Sequence, residues 1–207
     1  MYNTMRKLLF GLCLAAMPIT MMAQQVCKMW VNMPASVAGA LEKSGRQELL
    51  DLKQMKKAAT IAGPLGERCS IDTLTADFLS VRMNEVYTLQ MKMLPTSSGD
   101  SLLCLVQTYA GPQPESSISF YSPDWKALSM PQMHLDVDLQ RPDTMSEDDF
   151  NKLQALFDPK LVSFSLSPSS AELVVALSPA AISEEGKANI KRLNLQNKLN
   201  WNGKTFN

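Results

Sequence analysis

Tyr87-Thr88-Leu89-Gln90-Met91-Lys92-Met93-Leu94 decides how the rest of this chain is read. Its apolar side chains recur at every second position, and residues two apart on a strand share a face. Pro95 to Asp100 is turn material, and Leu102, Cys104, Val106 and Thr108 alternate again. Gly111 to Glu115 makes a second reversal, followed by Ile118 and Phe120. Pairing Leu94 with Ser101 sets Met91 opposite Cys104 and Leu89 opposite Val106. Pairing Ala110 with Ser116 sets Val106 opposite Phe120. Both registers keep one face apolar, as a half-buried sheet requires. The opposite face then carries Gln90, Lys92, Leu103, Leu105, Gln107, Tyr109 and Tyr121.

Before this stretch, Leu79, Val81 and Met83 alternate as well. A three-residue loop, Asn84 to Val86, pairs Val81 with Leu89 and preserves burial parity. The expected meander has strands at about 78–83, 87–94, 101–110 and 116–122. Upstream, Pro34 suits the first position of a helix. Ser44-Gly45-Arg46-Gln47 fits a capping box opening a second helix that runs to about Ala59. Lys53, Lys56 and Lys57 fall near its C-terminal end, where cations suit the helix dipole. Gln24 to Asn32 reads as a lead-in, and Ser70 to Leu74 as a short strand.

At the N-terminus, Arg6 and Lys7 precede an apolar run from Leu8 to Met22, then Ala23-Gln24. That is the pattern of a secretory signal peptide, residues 1–23, too short to span a bilayer. No later run is long enough for a transmembrane segment, so an exported, periplasmic or secreted protein is expected. The chain has 20 basic and 20 acidic residues over 207 positions. Loss of Arg6 and Lys7 leaves the remainder slightly acidic, which argues against nucleic acid as a partner. Cleavage also removes Cys13 and leaves Cys27, Cys69 and Cys104, an odd number. Cys27 and Cys69 have the option of pairing. Cys104, on a strand, reads as a buried thiol.

Beyond Trp125 the pattern changes, so residues 24–125 and 126–207 are read as two parts that pack as one globule or stand apart. Met133 to Leu139 alternates as a strand. Ser146 caps a helix with Met145 and Phe150 placed as a hydrophobic staple. Strands follow at Leu161–Leu166 and Leu173–Leu177, then a helix from Ile182 and a last strand around Leu199 and Trp201. The order βαββαβ is that of the ferredoxin-like fold. The expected class is α+β: an N-terminal helix pair with an antiparallel meander, then a ferredoxin-like half.

Chemistry is sparsely signalled. No phosphate loop, dinucleotide fingerprint, nucleophile elbow, zincin motif or C-x-x-C occurs, and there is one histidine. No catalytic residues are assigned, and no cofactor is expected unless a divalent cation binds. That cation would use His134, Asp136 and Asp138, which share a face if 133–139 is a strand. A metal-dependent hydrolase follows as the alternative function, and the wet face of a strand is the plainer explanation. A second candidate is a binding surface made of Gln90, Gln107, Tyr109, Tyr121 and Trp125, since tyrosine and tryptophan suit interfaces. The leading expectation is a non-catalytic envelope protein that binds or helps assemble another macromolecule.

The segments Met91-Lys92-Met93-Leu94-Pro95, Cys104-Leu105-Val106-Gln107-Thr108-Tyr109, Ser117 to Trp125 and Leu199 to Phe206 resemble an uncharacterised family of exported Bacteroidales proteins. The resemblance implies a Gram-negative envelope setting. It implies no activity and no site.

Overall fold

A computed structural model describes residues 25–180 and 189–207. Its frame is a seven-stranded sheet in which every strand pairs antiparallel with its neighbours in sequence. The strands are β1 (Thr60–Ala62), β2 (Arg68–Leu74), β3 (Phe78–Arg82), β4 (Tyr87–Pro95), β5 (Ser101–Ala110), β6 (Pro114–Tyr121) and β7 (Ala127–Leu128). The β3–β4 register is the expected one, with Val81 opposite Leu89. Its turn is held by Val86 N donating to Asn84 Oδ1 at 2.9 Å and Met83 N to Tyr87 O at 2.8 Å.

The β4–β5 register differs from expectation by one residue. Leu94 pairs with Leu102 and Met91 with Leu105, because Pro95 stays in the strand opposite Ser101. Thr96 then closes the five-residue loop by donating its N–H to Asp100 O at 2.8 Å. The slip reverses parity: Leu89, Met91, Met93, Leu103 and Leu105 belong to one core, and Leu94, Cys104 and Val106 to another. Parity was a poor guide here because β5 has no polar face at its centre; Leu103, Cys104, Leu105 and Val106 are all fully buried. The β5–β6 register is shifted by two, Ala110 opposite Pro114, so Val106 meets Ile118 and Cys104 meets Phe120. A shift of two leaves parity intact.

The N-terminal segment covers one face. Residues 25–31, expected as a lead-in, are helical, and Val26, Met29 and Trp30 lie on one side at i, i+3, i+4 spacing. Pro34 precedes a single turn, α1 (Ala35–Ala38), which ends at Gly39 with φ +64°. The next helix, α2 (Lys43–Gln54), begins at N-cap Glu42, so Ser44 lies inside it and the capping box does not form. It stops short of Ala59 because Lys56 takes φ +57° and the chain enters β1. Arg46, Leu49 and Leu50 are its buried side. Each fully buried Leu or Met in this layer contributes about 1.5–3 kcal/mol.

The second half covers the other face. Strands β8 (Leu161–Leu166), β9 (Glu172–Ser178) and β10 (Gln196–Asn200) form a separate antiparallel sheet in the order β10-β9-β8. Leu166, Leu173, Val175, Leu177, Leu199 and Phe206 pack on Phe78, Leu94, Cys104, Val106 and Phe120 of the meander. Residues 126–207 therefore share a core with the first half, and β7 carries the first sheet past the boundary expected at Trp125. The helix α3 (Glu147–Gln154) is capped by Ser146 Oγ, which accepts from Asp149 N at 3.1 Å. Met145, Phe150 and Leu153 cluster beneath it.

The strand expected over 133–139 is absent, and with it one strand of the ferredoxin-like order. The segment keeps alternating burial, with Val137 buried and His134 and Asp138 exposed, but it has no ladder partner. Asp136 Oδ1 accepts from the neighbouring Val137 N at 2.8 Å, a local bond that competes with a ladder. The helix expected from Ile182 lies outside the described residues except for 189–190, which are helical. What stands is a mixed α/β architecture dominated by two antiparallel sheets.

Polar side chains stitch the two sheets together. Phe164 N donates to Ser116 Oγ at 3.0 Å, and Leu166 N donates to Gln90 Oε1 at 2.8 Å. Residues 164 and 166 are two apart, so both N–H groups leave the same edge of β8. Replacing Gln90 by alanine strands the Leu166 N–H in a dry seam. The expected loss is about 1–2 kcal/mol in urea unfolding, whereas Gln107→Ala, at the wetter end of the sheet, should cost less.

Candidate functional site

The five residues of the candidate surface fall into three environments. Gln90 sits in the seam between the sheets, bonded to β8. Tyr121 and Trp125 pack against the helical core with ring centroids 5.1 Å apart. Trp125 occupies the left-handed region at φ +61° and donates Nε1–H to Met29 O at 3.1 Å. These three residues hold the fold together. The face they belong to in part is covered by the N-terminal helices.

Gln107 and Tyr109 lie farther along β5, where that cover ends. Tyr109 is 55 % exposed, and its ring stacks on Tyr87 with centroids 4.7 Å apart and planes 6° from parallel. Gln107 Nε2 donates to Tyr87 Oη at 2.6 Å. Burial pushes the Tyr87 phenol up, the Gln107 bond opposes it, and neighbouring Tyr109 adds to the rise. Exposed Val86 lies next to this pair, and Ala110 N donates to its carbonyl at 2.7 Å. On β6 the cross-strand partner of Tyr109 is Glu115, also exposed. Sequence reading missed Tyr87 because the one-residue slip put the two tyrosines on opposite faces, and missed Glu115 because the expected β5–β6 register left it in the turn. In the observed register Tyr87, Tyr109 and Glu115 form a single cross-strand row.

The cation candidates separate. His134 Nε2 is 3.4 Å from Asp138 Oδ2, and both side chains are exposed. Asp136 instead bonds the Lys160 ammonium. Burial pushes the Asp136 carboxyl up, but the Lys160 hydrogen bond, the Val137 N–H and the nearby positive charge outweigh it, and it lies below the usual carboxylate range. Its partner Lys160 is raised, chiefly by the same bond. No group of three His, Cys, Asp or Glu side chains among the described residues is placed to hold a metal ion. With Asp136 held by Lys160 and His134 and Asp138 both exposed, calcium, zinc or manganese should leave the melting temperature within about 1 °C of a chelator control. A rise that disappears in His134→Ala would restore the cation reading.

The Asp136–Lys160 pair also makes a pH prediction. A carboxyl with a depressed folded pKa adds stability above its unfolded value of about 3.9 and loses it as pH falls through the folded value. Lys160 is largely exposed, so the pair is worth about 0.5 kcal/mol at neutral pH. In Lys160→Met, stability between pH 5 and 2 should fall less steeply, by about that amount, in acid titrations followed by circular dichroism.

Two other features have structural roles. Cys27, Cys69 and Cys104 are all free thiols. Burial alone pushes Cys104 far up, so it packs as an apolar group. Lys53 Nζ donates to the carbonyls of Ile71 and Asp72 at 3.1 and 2.8 Å and ties the end of α2 to β2. Among the described residues, no helix is long and apolar enough to cross a membrane.

No curated protein shows significant sequence similarity to the chain. A solved structure is similar to it, "Structure of a domain of an uncharacterized protein from Porphyromonas gingivalis W83". The two share 22 % identity at a TM-score of 0.71, over 88 % of this chain and 98 % of that one. That likeness extends to the fold alone. A family model described as "Protein of unknown function (DUF3256)" matches residues 18–206, and the chain belongs to that family.

Proposed function

We propose that this chain is an exported, non-catalytic protein that binds another macromolecule through the end of its sheet around Tyr109. The observation that carries the reading is the Tyr87–Tyr109 stack, left half in water where the helical cover stops. At the centre of β4 and β5 the large side chains are buried on both faces, so exposed Tyr109, stacked on half-buried Tyr87 beside exposed Val86, stands out. Tyrosines combine apolar area with a hydroxyl and lose little entropy on contact, which suits them to interfaces. Export rests on the Met1 to Ala23 pattern.

The test is a photo-crosslinking residue at position 86 in intact cells, with the fraction identified by N-terminal sequencing. The expected result is a mature chain starting at Gln24 outside the cytoplasm and one dominant adduct that disappears in Tyr109→Ala. An unprocessed cytoplasmic chain overturns export. An adduct indifferent to Tyr109→Ala overturns the surface.

A further inference from the structure

We propose that Tyr109 and Glu115 together hold an arginine side chain of the partner protein, a step that rests on the binding surface just described. The argument begins with spacing. Neighbouring strands lie about 4.8 Å apart, and the Tyr87 and Tyr109 ring centroids are 4.7 Å apart in near-parallel planes. The two rings therefore stand side by side, each over its own strand. Tyr87 on β4 covers one π-face of Tyr109, so the free π-face is turned toward β6.

A third planar group continuing that stack would stand over β6 at the position opposite Tyr109. That position is Glu115, whose carboxylate is exposed and has no ion-pair partner among the described residues. A guest that fits is planar, cationic and able to donate hydrogen bonds to a carboxylate. Guanidinium meets all three conditions, since it stacks on aromatic faces and forms paired N–H···O bonds with carboxylates. A lysine ammonium satisfies the charge but cannot continue the stack. The next row adds Gln107 and Ser117 on the same face, neutral groups able to bond the backbone of a bound segment.

The purified protein is titrated with acetyl-Gly-Arg-Gly amide, and with the lysine and citrulline versions of that peptide, by amide and tyrosine ring NMR shifts. Citrulline keeps the planar shape and removes the charge. The expected result is millimolar binding of the arginine peptide, with shifts centred on Tyr109, Glu115 and Ser117. The lysine and citrulline peptides should bind at least about fivefold more weakly. Glu115→Gln should weaken the arginine peptide about fivefold to tenfold, and Tyr109→Ala should abolish the localised shifts. Equal response to arginine and citrulline peptides, no localised shifts, or indifference to Glu115→Gln overturns the proposal. Glu115 is exposed and glutamine matches its shape, so folding is preserved. If a Tyr109-dependent adduct forms in cells but the arginine peptide fails, the surface stands and the arginine assignment falls.

Discussion

Replacing Arg46 by alanine should lower the unfolding free energy by about 3–5 kcal/mol. Arg46 is only 5 % exposed, and no carboxylate among the described residues pairs with it. Its guanidinium donates to backbone carbonyls instead. Nη2 reaches Met33 O at 2.9 Å and Val31 O at 3.1 Å, while Nη1 bonds Leu41 O. Met33 and Leu41 lie outside helices and strands, and no backbone N–H among the described residues reaches their carbonyls. One side chain thus satisfies the turns that join the three helical pieces. Arg46 O in turn accepts from Trp30 Nε1 at 2.9 Å, fixing the largest fully buried residue of this layer. Burial draws the guanidinium pKa down, yet arginine stays charged at any pH where the protein folds. Lysine, with a single ammonium, cannot span three carbonyls, so Arg46→Lys should lose at least about half as much. Urea unfolding measures both. A loss under 1 kcal/mol for Arg46→Ala would mean that water replaces the guanidinium at these carbonyls.

The contrast between what the sequence specified and what it hid follows from burial. The β3–β4 hairpin was legible because the parity of Val81 and Leu89 selected one loop length. The β4–β5 register was not, because parity discriminates only when one face is wet. Leu103, Cys104, Leu105 and Val106 are buried on alternating sides, so a slip of one residue costs nothing visible in the pattern. That slip concealed the tyrosine pair, and with it the strongest feature of the candidate surface. Alternation over Met133 to Leu139 misled in a different way. It reports extended chain with one side inward, and that state needs no ladder. The helix at 25–31 was missed, although Val26, Met29 and Trp30 carry a helical spacing that a lead-in would not need. The staple at Met145 and Phe150 succeeded because capping is local and needs no knowledge of what lies across the sheet.

A second large effect is expected at the buried ion pair between the sheets. Lys92 is 2 % exposed on the face of β4 covered by the second sheet, and its Nζ is 2.9 Å from Asp77 Oδ2. The same ammonium lies 5.9 Å from the centroid of the Phe78 ring. Asp77 sits in the β2–β3 turn, where Thr75 Oγ1 donates to Oδ1 at 3.2 Å and Met93 N donates to its carbonyl at 2.8 Å. Both anchors aim the carboxylate at Lys92. Asp77→Ala leaves an ammonium in an apolar layer and should cost about 3 kcal/mol, the lower end for a broken buried pair because Asp77 itself is partly wet. Lys92→Met fills the same space with an unbranched apolar chain and should change stability by less than about 1 kcal/mol. The double variant Asp77→Ala, Lys92→Met should then recover most of the loss, a coupling of about 2 kcal/mol in a double-mutant cycle. Additive losses in that cycle would show that Asp77 acts through the turn rather than through Lys92. The expected coupling places the damage in the unpaired charge, so an apolar residue at position 92 is the cure.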